Sequence, residues 1–171
     1  MKNKNKFYIL KFSLYTLLLL ALYVLQTVPG LFVVLGQKPI WVIPAAIAIA
    51  MLEGEFVGGI FGVLAGILCD MGGFSLFGFN AFFIGVFCIA AGLLIIYMMR
   101  CNLPNCLLFT GTVLLLRGSI EYLFAYGMWG YENVWKVYVY TVLPVVAYST
   151  AIAPLVYFAV RGIHRRFALV L

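Results

Sequence analysis

Charge is scarce in this chain. Lys, Arg, Asp and Glu make up 9% of its 171 residues, acidic residues number five, and there is a single histidine. Soluble domains carry about a quarter charged residues, so no soluble domain of ordinary composition fits here. One histidine with four cysteines cannot assemble a metal site of ordinary Cys/His spacing, and no metal or other cofactor is expected. The cysteines Cys69, Cys88, Cys101 and Cys106 do not read as a disulfide framework. Cys101 and Cys106 flank a short loop on the side where thiols stay reduced, and all four read as small apolar packing residues. No serine, cysteine or lysine nucleophile has a candidate base nearby in sequence, so an enzyme is not expected. No basic stripe with interleaved aromatics lies in a soluble segment, which argues against nucleic-acid binding.

What is abundant is apolar surface: 66% of residues are hydrophobic and the mean hydropathy is +1.15. The class this predicts is an all-α integral membrane protein, a single domain over 1–171, with about six transmembrane helices in a compact bundle. The runs fall at about 12–28, 40–52, 54–69, 80–99, 106–126 and 137–160. The first follows Lys2, Lys4, Lys6 and Lys11 and lacks a small-residue cleavage site, so it reads as a retained helix rather than a signal peptide. The second and third are short for spans, which suggests a steep helix, a locally thinned membrane, or Glu53 and Glu55 near the interface. Pro104 is expected in the loop 101–105. With both termini inside, the inner side holds eight of the eleven basic residues: Lys2, Lys4, Lys6, Lys11, Arg100, Arg161, Arg165 and Arg166. Lys38 and Lys136 lie outside and Arg117 within a span, a positive-inside bias that places both termini in the cytoplasm.

The sequence is organised around Glu53 to Asn80, EGEFVGGIFGVLAGILCDMGGFSLFGFN. Gly54, Gly58, Gly62 and Gly66 are four residues apart and so share one helix face, a groove into which another backbone can come close. Gly59 points to another face. Cys69-Asp70 ends the run, glycines 72, 73 and 78 mark a turn, and Asn80 is a candidate N-cap for the next helix.

Arg117 and Glu121 are i,i+4 within the fifth run and read as an intramembrane ion pair. Either the pair satisfies itself and orients its helix, or it also reaches another helix of this chain or a partner. Glu53 and Glu55 do not converge on an unbroken helix, and read as a polar inner turn unless Gly54 breaks it. Asp70 reads as a helix-end or turn residue. Trp41, Trp129 and Trp135 are expected as interfacial anchors. His164 with Arg165 and Arg166 reads as a solvated or headgroup-facing tail that attracts anionic lipid.

The ordered combination Gly58, Gly62, Gly66, Asp70, Gly78, Asn80 resembles the rod-shape-determining protein MreD family. Its pattern is a glycine-rich helix, then an aspartate, then a turn ending in G-x-N. Lys38-Pro39, the length, the six-run hydropathy and the basic tail fit the same layout. The resemblance implies a non-enzymatic scaffold of the bacterial elongasome in the inner (cytoplasmic) membrane. Its implied partners are MreC, a single-span protein, and more loosely MreB, RodA and a class B penicillin-binding protein, a transpeptidase. It also implies a fold similar to the S components of energy-coupling-factor vitamin transporters. The alternative is such an S component itself. That class docks through an Ala-xxx-Ala pattern in its first helix, and here the equivalent positions are Ser13, Leu17, Ala21 and Leu25.

Overall fold

Val42 to Met51 contains no polar side chain, so a helix built from it has no face to turn outward. In the computed structural model, which describes residues 2–28, 38–72, 78–125 and 134–168, this stretch is the middle of the bundle. The elements are α1 (Lys2–Thr27), α2 (Val42–Glu53), α3 (Glu55–Gly72), α4 (Phe79–Tyr97), α5 (Leu103–Ala125), α6 (Val134–Val137) and α7 (Leu143–Ala168). A π-helical turn, Tyr138–Val142, joins the last two, and no strand occurs among the described residues. All ten residues from Val42 to Met51 are buried. α2 packs against α1, α3, α4, α5 and α7. The protein is an all-α membrane bundle, and among the described residues five helical runs long and apolar enough to cross a membrane are arranged around the short α2.

Contacts at the helix ends fix the course of the chain. The Trp41 backbone N–H donates to Gln26 Oε1 at 3.0 Å, so α2 starts where α1 finishes. It ends beside Lys11 and Tyr15 and is therefore antiparallel to α1. α3 returns and α4 runs back along it, Gly66 facing Ala81 at one end and Glu55 facing Gly92 at the other. α5 and α7 complete the alternation, with Arg117 reaching Asn80 and His164 reaching Glu53. α1 thus begins and α7 finishes at the same end of the bundle.

Several expectations need correction. α2 is 12 residues, about 18 Å at the helical rise, against a hydrocarbon core of roughly 30 Å. Neither a steep helix nor a thin membrane is needed to accommodate it, because other helices surround it. α3 is longer than expected, at 18 residues. Pro104 lies in the first turn of α5, where its missing N–H has no intrahelical partner to lose. Trp41 is buried in the core, unlike Trp135, which is exposed and stacks on Tyr138. Trp129 lies outside the described residues. The π-helical turn ends two residues before Pro144, whose ring nitrogen cannot donate to the carbonyl of Tyr140, and the helix ladder widens next to that gap.

Candidate functional site

Two clusters of buried polar groups, one at each end of the bundle, are where the helices are tied together. The glycine face of α3 runs between them.

At the first end, the chain must turn from α2 into α3 with no loop. Gly54 does this alone, at φ +92° and ψ −179°, a conformation that side chains with a Cβ avoid. Its N–H closes α2 on Ala50 O at 3.0 Å, and its carbonyl accepts the first α3 bond from Gly58 N at 2.9 Å. Gly54 is therefore a turn residue, and its backbone also lies against α4, where a Cβ on Gly92 would meet Gly54 C at 3.0 Å. The break separates the two glutamates. Glu55 opens α3, where a carboxylate suits the helix N-terminus. Glu53 closes α2 and is held from three directions. Lys11 Nζ lies 2.7 Å from its carboxylate, Tyr15 OH donates at 2.6 Å, and His164 Nδ1 donates at 2.7 Å. Lys11 is 5% exposed and Tyr15 is fully buried. His164 is thus a tie between α7 and α2, and not part of a solvated tail.

This cluster makes a prediction. Glu53→Ala strands the buried Lys11 ammonium and removes the acceptor for Tyr15 and His164, a loss of about 3–5 kcal/mol. Lys11→Met costs less, since Glu53 keeps two donors. The double variant is expected to lose less than the sum of the singles, as read by thermal unfolding in detergent. Strict additivity would show that the ion pair contributes nothing.

Along α3, the groove is occupied from within the chain. A methyl group on Gly66 would collide with the Ala81 and Asn80 backbone, and one on Gly62 would meet Cys88 Cβ at 2.7 Å and Gly85 Cα at 3.1 Å. A methyl on Gly58 would collide with Ala50 of α2. The small residues of α4, namely Ala81, Gly85, Cys88 and Gly92, answer those of α3, and the helices pack almost backbone to backbone. Gly59 is not on a free face either, because its added Cβ would meet Ile89 of α4 at 2.7 Å.

At the second end, Asp70 sits in the last turn of α3, 4% exposed, and accepts four bonds. Gly78 N and Ala81 N donate to Oδ2 at 3.0 and 3.2 Å, while Asn80 N and Asn80 Nδ2 donate to Oδ1 at 3.2 and 2.8 Å. One carboxylate thereby satisfies the otherwise orphaned first amides of α4 and opposes the positive end of that helix. The N-cap position belongs to Gly78, at φ +93°, and not to Asn80. The Asn80 side chain is turned to two charged groups: it donates to Asp70 and accepts from Arg117 Nε. Arg117 Nη2 in turn lies 3.3 Å from Glu121 Oε2. Of the two readings of the Arg117–Glu121 pair, the wider one applies, since the pair also reaches α4. Glu121 is the outermost member, its side chain 40% exposed.

Sequence reasoning found the glycines, Asp70, Asn80, Arg117 and Glu121, and missed Lys11, Tyr15 and His164 as partners of Glu53. One signal was available: Lys11 and Tyr15 are i,i+4 on a helix, and a lysine inside an apolar run calls for a carboxylate.

Fold and clusters together define a multi-pass membrane bundle in which Glu53, Asp70 and Asn80 are bonded to partners on other helices. Comparison with known protein families, with curated proteins and with solved structures finds no match for the chain.

Proposed function

We propose that this protein is a non-enzymatic transmembrane scaffold of the MreD kind. It would sit in the bacterial cytoplasmic membrane and bind MreC, linking cell-wall synthases such as RodA and a class B penicillin-binding protein to MreB. One observation carries the reading. The residues that bear the resemblance, scattered from Gly58 to Asn80, converge on one structural unit: the glycines admit α4, and Asp70 caps it through Gly78, Asn80 and Ala81. Because α4 and α2 of this same chain fill the groove, a partner helix would meet the outward apolar faces of the bundle. On this reading the end carrying Arg100, Arg161, Arg165 and Arg166 faces the cytoplasm.

The test is affinity purification from native membranes in mild detergent, with bound proteins and small molecules identified by mass spectrometry. Recovery of a single-span protein with a periplasmic domain, together with cell-wall synthases, supports the scaffold. An ATPase pair or a stoichiometric vitamin-like ligand overturns it in favour of a transporter S component.

A further inference from the structure

The last turns of α7 present three arginines, none of which forms an ion pair among the described residues. Leu155, Phe158, Gly162 and Arg166 follow one another at helical spacing on the outward side, with Arg161 and Arg165 beside them. Leu155 is 64% and Phe158 58% exposed, and Arg165 and Arg166 are exposed. At Gly162 a Cβ would find no atom within 4 Å, so a notch opens in the stripe between the apolar pair and the terminal arginines. Arg161 is held in place: its guanidinium carbon lies 5.8 Å from the centroid of the buried Tyr157 ring.

The field of the helix end does not account for all three. Arg165 and Arg166 lie in the last turn, where cations offset the partial negative charge of a helix C-terminus, but that effect fades within one turn. Arg161 is seven residues from Ala168, beyond its reach. Nor are carboxylates to hand. By sequence this end carries Lys2, Lys4, Lys6, Lys11, Arg100, Arg161, Arg165 and Arg166 against Glu53 and Glu55, a balance of eight minus two, or +6. Glu53 is taken by Lys11 and His164, and none of the three arginines forms an ion pair among the described residues.

We infer that this face of α7 binds one anionic phospholipid, its phosphate held by Arg161 and Arg165, one turn apart, with Arg166 at the flank, and an acyl chain along Leu155 and Phe158. An arginine fork matches phosphate oxygens, and the apolar pair lies about one to two turns deeper than Arg161 and about two to three turns deeper than Arg165 and Arg166, at acyl depth. The combination suits an amphiphile with an anionic head better than an acidic protein surface, which has nothing to lay on Phe158. It differs from general attraction of a basic tail to a membrane in being a discrete site that includes Arg161 and excludes His164. The inference goes beyond the scaffold reading and does not depend on it, since the measurement involves no protein partner.

The experiment is native mass spectrometry on the full chain in detergent, stripped of lipid and titrated with phosphatidylglycerol or with phosphatidylcholine of the same acyl chains. One phosphatidylglycerol per chain is expected, retained at least ten-fold better than phosphatidylcholine. R161Q should weaken it roughly five-fold and R161Q/R165Q roughly twenty-five-fold. K136Q, at the opposite end of the bundle, should leave it unchanged, and inorganic phosphate should not displace it. Should R161Q disturb the fold through Tyr157, the exposed pair R165Q/R166Q tests the same site. Equal binding of the two lipids, an equal loss in K136Q, or displacement by inorganic phosphate would each overturn the proposal.

Discussion

Asp70→Ala is expected to cost about 3–5 kcal/mol of bundle stability, enough to leave little folded protein after extraction into detergent. The carboxylate accepts from three backbone amides and one side-chain amide, and alanine leaves all four donors without their partner in a water-poor interior. The damage would spread, because Asn80 loses the group that orients it toward Arg117. Asp70→Asn separates shape from charge. It keeps the volume and one acceptor oxygen, but turns an NH2 toward amides that also donate, so roughly half the loss is expected. The measurement is thermal unfolding in detergent, followed by fluorescence-detected gel filtration. If Asp70→Ala unfolds within a degree or two of the parent, the capping account is wrong.

Gly66→Ala is the second large effect, and it is large for a single methyl group. What the new carbon would strike is backbone, the Ala81 and Asn80 main chain, which has no rotamer to escape into. α3 and α4 would have to separate, a cost at or above the usual 1–3 kcal/mol of overpacking. Gly59→Ala is the matched control: it strikes Ile89 Cγ1 at 2.7 Å, a side-chain atom that can yield only by a change of χ1, on a residue with open space on its outer side, so its cost is smaller than a backbone clash but not zero. Gly62→Ala falls between the two, touching Cys88 Cβ and Gly85 Cα. The expected order of lost thermal stability is therefore Gly66, Gly62, Gly59. If Gly59→Ala matches Gly66→Ala, rigid backbone contact is not what makes these glycines necessary.

How much could be read from the sequence follows from the range of each interaction. Hydropathy located the passes because burial in lipid acts on every residue of a run. Four-residue glycine spacing located the α3 face because helix geometry is local. The second role of Gly54 was hidden for the same reason: it lies in register with Gly58, and only its backbone angles show that it also makes the turn. The ties of Glu53 were out of reach, since Tyr15, Lys11 and His164 lie 38, 42 and 111 residues away. The role of Asp70 was half visible. A turn residue before glycines was expected, but the helix it caps begins nine residues later and depends on a return that spacing does not specify. Trp41 was misplaced because an interfacial tryptophan and a core tryptophan at the mouth of a helix look alike in sequence.

The shortness of α2 bears on how the protein is made. A segment of 12 residues cannot be released into lipid on its own account and wait there for neighbours, as a full-length span can. Joined to α3 through Gly54 with no intervening loop, it would enter as one half of a helical hairpin, and its remaining flank stays uncovered until α5 and α7 have been synthesised. The cover of α2 is therefore expected to be complete only once α7 is in place. A chain interrupted before Leu143 would leave its own centre unroofed, a natural mark for membrane quality control.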